Sequence, residues 1–235
     1  MMKSSVEQIR ARFDKDVERF SNLETGQSAT IDAPLVLDLI SAAAAAVNPE
    51  ATSLLDIGCG AGNYTLKLLQ HLPQLNIALV DLSQPMLDRA AERLAPVRQG
   101  SLVTHQADIR ELALGLQQFD IITAAAVFHH LRSEEEWHAV FTKCYDALRP
   151  GGSIWISDLI EHASPAVGAF MKMRYGEYLC GLKGEAYREQ VFAYIEQEDT
   201  PRPLIFQLDM LRAVGFRQVD VLHKNSVFAA FGAIK

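Results

Sequence analysis

The sequence predicts an α/β protein built on a largely parallel sheet with helices on both faces. Three observations carry that expectation. Nearly continuous apolar runs of strand length, as at 54–57, 76–81 and 119–127, alternate with stretches of helical periodicity. Each of these runs ends in a turn that opens a helix, which is the order of a strand–helix–strand crossover. Acidic residues or histidines also stand at strand ends (Asp56, Asp81, Asp108, His129, Asp158), where open sheets of this kind bind ligands.

Between positions 5 and 22, Val6, Ile9, Phe13, Val17 and Phe20 recur every three or four residues, which predicts one amphipathic helix. A turn is expected at Thr25-Gly26-Gln27. Asp32 then stands where it can cap a helix with Pro34 in its first turn, running to Val47 and ended by Asn48-Pro49. The strand at 54–57 breaks at Gly58, Gly60 and Gly62 into a helix bearing Leu66, Leu68 and Leu69, closed by Pro73. Glycine accepts positive φ and lets a ligand lie against the main chain, while the N–H groups of a helix start face the same space. The strand at 76–81 ends in Asp81, and Ser83 caps a helix with Pro85 and Met86 in its first turn. A third strand is expected at 101–106, ahead of Ala107-Asp108, and a fourth at 119–127. Ser133 with Glu136 forms a capping box for a helix reaching Arg149, and Pro150-Gly151-Gly152 turns into a fifth strand at 153–158.

From 163 to 197 the pattern is helical and rich in Met, Tyr and charge, which reads as a cap over the sheet. Pro201 and Pro203 mark a joint before a helix at 204–214 ended by Gly215. Two closing runs, 217–223 and 226–234, are joined by a hairpin-like link at 223–225, so the last strand is expected to be antiparallel. One domain is expected from 235 residues: N-terminal helices over 1–48, a ligand-binding core over 50–158, a cap over 159–203 and a closing helix and hairpin over 204–235.

A net charge of −7 offers no footprint for tracking a phosphate backbone, so no nucleic-acid partner is expected. Apolar residues make up 49% of the chain, yet no run approaches the roughly 20 needed to span a bilayer. The opening MMKSSVEQIRARFDKD lacks an apolar signal core, and together these features predict a soluble, cytoplasmic protein, with a homodimer compatible. Cys59, Cys144 and Cys180 contain no CxxC pair, which argues against a disulfide framework or a zinc site.

Gly58-x-Gly60 after a strand raises a nicotinamide dinucleotide as a ligand. That fingerprint wants a small residue at 63, where this chain has Asn63, and a buried acid such as Asp56 suits positive charge better than a pyrophosphate. S-adenosylmethionine fits the strand ends better. Asp81 can accept both ribose hydroxyls and Asp108 the adenine amino group, with Leu82, Met86 and Ile109 around the ring.

D-x-G-C-G-x-G at 56–62, the acid Asp81, Ala107-Asp108 and Leu148-Arg149-Pro150-Gly151-Gly152 agree in order and spacing with one family. Over 50–158 and 217–234 the chain resembles the class I S-adenosylmethionine-dependent methyltransferases. The resemblance implies a Rossmann-like, seven-stranded sheet with a reversed last strand. It places Gly58, Gly60 and Gly62 at the cofactor's methionine portion, Asp81 on ribose and Asp108 on adenine; in the same turn Asp56 offers negative charge near the cationic end, and Cys59 is a further cofactor-binding candidate. FDKDVERF at 13–20, Val214 to Phe216 and the 228–232 segment are also similar to the carboxy-S-adenosylmethionine synthase subgroup, although Gly60 stands where that synthase carries serine.

The expected function is methyl transfer to a small-molecule acceptor by in-line displacement, leaving S-adenosylhomocysteine. A general base is needed only for a protonated acceptor, and His129 and His130 are the best placed. Tyr175, Tyr178, Tyr187 and Arg188 of the cap are candidates for binding the acceptor, Arg188 by bidentate contact with a carboxylate. No metal centre is expected at His129, His130 and Asp158, because adjacent side chains on an extended strand point opposite ways. Rival readings are an enzyme making or using carboxy-S-adenosylmethionine, a non-catalytic cofactor-binding regulator and, last, a nicotinamide-dependent oxidoreductase.

Overall fold

A computed structural model of the chain describes residues 3–22 and 27–235. Its seven strands are β1 (Ser53–Ile57), β2 (Asn76–Asp81), β3 (Leu102–Gln106), β4 (Phe119–Ala125), β5 (Leu148–Leu159), β6 (Gln218–Asn225) and β7 (Phe228–Ile234). They form one sheet in the order β3-β2-β1-β4-β5-β7-β6. The first five pair in parallel, and β7 runs antiparallel to both β5 and β6. The chain steps outward in opposite directions from β1, so a crevice opens between the carboxyl ends of β1 and β4.

The helices among the described residues are α1 (Val6–Phe13), α2 (Val17–Ser21), α3 (Ala33–Val47), α4 (Asn63–Leu69), α5 (Gln84–Leu94), α6 (Glu134–Ala147), α7 (Pro165–Lys183), α8 (Glu185–Glu198) and α9 (Leu204–Val214). The strand period of two sorts side chains between faces. Leu55, Ile57 and Ile122 pack with Trp137 and Phe141 of α6 and Leu211 of α9, while Leu54, Ile121 and Leu79 meet Ile40 of α3, Leu68 of α4 and Leu87 of α5. Each such fully buried leucine or isoleucine contributes about 1.5–3 kcal/mol. A smaller cluster joins Tyr175 and Leu179 of α7 to Ile31, with Phe192 of α8 and Phe228 of β7 packed against them. No described helix is long and apolar enough to cross a membrane.

Several boundaries differ from those read in the sequence. The N-terminal helix is two: Lys15 and Asp16 donate to Arg12 O and Phe13 O in a tight turn, and the Phe13 and Phe20 rings meet at 5.6 Å. Residues 25 and 26 of the expected turn lie outside the described residues. Asp32 does not cap α3 through its side chain. It sits at φ 59, and its carboxylate accepts from Asn225 Nδ2 at 2.8 Å and pairs with His223 Nε2 at 2.9 Å. Ser133 caps α6, but Glu136 turns to the Arg132 N–H at 2.6 Å instead of closing the box. Strand β5 begins at Leu148 rather than after the glycines. The closing hairpin turns at Ser226-Val227, because the ladder continues as far as Asn225 opposite Phe228.

Candidate active site

The turn after β1 is held by main-chain bonds to the next strand. Gly58 and Cys59 N–H both donate to Val80 O, at 2.7 and 3.1 Å. Gly60 N–H donates to Asp81 Oδ2 at 2.9 Å, and the other carboxylate oxygen accepts from Ser83 N–H at 2.9 Å. The three glycines have positive φ but different surroundings. A Cβ on Gly58 would lie 2.1 Å from Val127 Cγ2, and one on Gly62 would lie 3.2 Å from Ala90 Cβ. A Cβ on Gly60 would meet nothing within 4 Å. Gly60 therefore faces open space, while Gly58 and Gly62 permit close packing.

Beside the turn lies a cleft of about 240 Å³ lined by Gly58, Asp81, Leu82, Asp108, Ile109, Val127 and His130. Ser4, Ser5, Val6 and Ile9 cover it from the N-terminal segment. Burial pushes the Asp81 carboxyl up to about 6, against the N–H bonds that favour its charge. Asp108 is instead held below its ordinary range. Burial opposes its charge, but Arg110 outweighs that through Nε at 3.0 Å and Nη2 at 2.6 Å.

Asp56 lies beneath the turn, 2% exposed, and both of its oxygens are taken: Thr65 Oγ1 donates at 2.6 Å and Thr123 Oγ1 at 2.9 Å. It ties β1 to α4 and β4, and burial pushes its carboxyl up to about 6. Cys59 and Met86 are buried, and burial also pushes the Cys59 thiol up. Asn63, in place of a small residue, clasps the N-terminal segment. Its Nδ2 donates to Phe20 O at 2.9 Å, and Arg93 Nη1 donates to its Oδ1 at 2.8 Å.

The histidines sit in a 3₁₀ turn (Phe128–His130), not on an extended strand, so their rings approach each other with centroids 4.3 Å apart. His129 Nδ1 is bonded to the Asp158 carboxylate, and its N–H donates to Asp158 Oδ2 at 3.2 Å. Asp199 Oδ1, from the end of α8, stands 3.5 Å from His129 Nε2 and 3.4 Å from His130 Nδ1. Thr200 docks that segment by donating its N–H to His129 O at 2.7 Å. Burial opposes the charge of His129, but Asp158 and Asp199 override it and lift the imidazole to about 9. His130 is driven the other way by burial and by cationic His129, so it is neutral at pH 7.

Residues 55–154 match the family described as a methyltransferase domain, the span from the glycine turn to β5. Over that span the chain is similar to methyltransferases. It is 29% identical to the malonyl-[acyl-carrier protein] O-methyltransferase of Priestia megaterium over 78% of this chain and 65% of that protein. It is also 29% identical to the carboxy-S-adenosyl-L-methionine synthase of Trichodesmium erythraeum, over 78% of this chain and 73% of that one. The chain thus spans about two thirds to three quarters of the length of these relatives. Its fold matches human N-acetylserotonin methyltransferase in complex with SAM, at 15% identity and a TM-score of 0.63, covering 95% of this chain and 57% of that one.

The cap candidates stand elsewhere. Tyr175 donates to Ala29 O at 2.9 Å and Tyr178 to Ser28 O at 2.8 Å, and Tyr187 packs in the small third core. Arg188 pairs with Glu189 beside a separate hollow of about 420 Å³ between α7 and α8. None of the four lines the strand-end cleft. Sequence reasoning missed Asp199 and the covering residues of the N-terminal segment. The only signal for Asp199 was an acidic pair ahead of Pro201, which reads equally as a helix end.

Proposed function

We propose that the protein transfers a methyl group from S-adenosylmethionine to a small-molecule acceptor. The observation that carries this reading is the convergence, in one covered cleft, of Gly58 of the glycine turn, anchored Asp81 and neutral His130. When bound, the cofactor supplies a carbon activated by its sulfonium for in-line displacement. Asp81 uses one lone pair on each oxygen for backbone N–H groups and so keeps capacity for ribose hydroxyls. Leu82 and Ile109 flank the adenine side, with Asp108 steadied there by Arg110. The glycine turn presents bare main chain to the methionine end, and Asp56 braces that turn from below.

The chain's own part in the reaction is orientation and exclusion of water. Correct placement of the reactants is worth on the order of 7–11 kcal/mol in favourable cases. The N-terminal segment covers the cleft and so helps exclude water from it. His130, uncharged and facing the cleft, accepts a proton from an acceptor that arrives protonated. His129, charged between Asp158 and Asp199, orients its neighbour and keeps it neutral.

Calorimetry of S-adenosylhomocysteine binding tests the assignment through Asp81→Ala and Asp81→Asn. Each lost charge-assisted bond is worth about 1.5–3 kcal/mol, so affinity should fall roughly tenfold or more. Unchanged affinity in both variants would remove Asp81 from the cofactor site. Similarity to the Trichodesmium synthase supports a second reading, the use of carboxy-S-adenosylmethionine. Mass spectrometry of the co-purifying ligand separates the two, since only the second requires an added carboxyl mass.

A further inference from the structure

Around the histidine turn, buried polar atoms converge without hydrogen-bond partners. Both ring nitrogens of His130 and Asp199 Oδ1 are buried and accept or donate no hydrogen bond among the described residues. A buried polar group left unsatisfied costs about 1–3 kcal/mol, so three within one cluster call for a missing occupant.

We propose that His129, His130 and Asp199 bind a divalent transition-metal ion of the zinc type, with one coordination position left to water or to an acceptor oxygen. One ligand atom from each residue can be chosen so that all lie within 4.8 Å of one another. Asp199 Oδ1 stands 3.5 Å from His129 Nε2 and 3.4 Å from His130 Nδ1. For donors about 2.0–2.1 Å from a tetrahedral ion, ligand–ligand edges are about 3.4 Å. Those two edges already have the spacing of a filled site.

The surroundings support the same occupant. Asp158 accepts from His129 Nδ1, and an ion in the cluster would displace the proton from Nε2, which faces Asp199; a carboxylate behind a metal-bound histidine is the usual supporting arrangement. Asp158, Asp199 and Glu198 bring three carboxylates to the cluster, against the guanidiniums of Arg12 and Arg132. Two imidazole donors favour zinc, cobalt, iron, nickel or copper over magnesium, calcium or manganese, which suit oxygen ligands. His130 also lines the cleft, so an ion here borders the space assigned to the acceptor. It would lower the pKa of a bound hydroxyl, taking over the proton-accepting role given above to His130 alone.

The site goes beyond the methyl-transfer reading and is tested without cofactor or acceptor, so the failure of either leaves the other standing. Chelator-treated protein is titrated with Co²⁺ and followed by visible absorption, then competed with Zn²⁺. The expected result is one equivalent of Co²⁺ with a tetrahedral d–d band, displaced by Zn²⁺. Asp199→Asn and His130→Gln, shown folded by circular dichroism, should each lose the band or at least tenfold in affinity. Asp158→Asn should weaken binding roughly 10–100-fold. A wild-type protein that gives no band, or wild-type affinity in both ligand variants, overturns the proposal.

Discussion

On the β1–β2 side of the cleft, Gly58, Gly60, Asp81 and Ser83 are joined by bonds between neighbouring turns, with the main chain donating in each. On the β4–β5 side, His129, His130, Asp158 and Asp199 come from a 3₁₀ turn, a strand end and the end of a distant helix, and they meet through side chains. The first wall needs particular backbone conformations, which glycine and a short acid supply locally. The second needs long-range docking, with Thr200 tied to His129 O and Arg12 to Glu198. The difference teaches that the glycine wall is a property of adjacent turns, whereas the histidine wall is a property of how distant segments pack.

The sharpest way to break this comparison is on the histidine side. His130→Ala should lower kcat roughly 10²–10⁴-fold toward an acceptor found in a metabolite panel, with S-adenosylhomocysteine affinity unchanged. A kcat within a fewfold of wild type, or a parallel loss of cofactor binding, would erase the division between the walls.

On the glycine side the three positions should not respond alike. Gly58→Ala combines left-handed backbone strain with the Val127 clash, an expected loss of about 2–5 kcal/mol by denaturant unfolding. Gly60→Ala should cost only about 1–2 kcal/mol of stability but weaken S-adenosylhomocysteine binding, because its methyl enters the open space. Undiminished binding in Gly60→Ala would show that the space is not the cofactor's.

A smaller effect comes from Asp56. Its folded-state carboxyl is raised to about 6, so between about 4 and 6 the native protein binds more protons than the unfolded chain. Stability from this group is present at low pH and is lost as pH rises through about 6, levelling above. The difference in unfolding free energy between wild type and Asp56→Asn should therefore shift by roughly 2 kcal/mol between pH 4.5 and 7. A pH-independent difference would place the proton elsewhere. The smallest effect is expected at Tyr178→Phe, which removes the bond to Ser28 O: about 0.5–1.5 kcal/mol in stability and none in cofactor affinity. A clear change in that affinity would connect α7 to the cleft.

Much of the glycine wall is legible in the sequence because its signals are adjacent in the chain. The glycine spacing at 58, 60 and 62, the strand end at Asp81 and the Ser83 cap all appear where the residues place them. The bond between Asp108 and Arg110 could also have been read, since they are two residues apart. Asp56 was harder. Its neighbours in sequence do not reveal that Thr123, sixty-seven residues away, claims one of its oxygens, while Thr65 takes the other. Tyr175 and Tyr178 looked available for an acceptor because nothing near them in sequence reveals that residues 28 and 29 would take their hydroxyls.

Local chemistry was sufficient for the alternation of strands and helices, the parallel core and the glycine turn, since hydrophobic period and positive φ are set by neighbouring residues. Folding alone settled that the N-terminal helix breaks and covers the cleft, that Asp32 ties to β6 rather than capping α3, and that Asp199 reaches His129 and His130. Those outcomes depend on contacts between segments far apart in the chain, and no periodicity encodes a partner so distant.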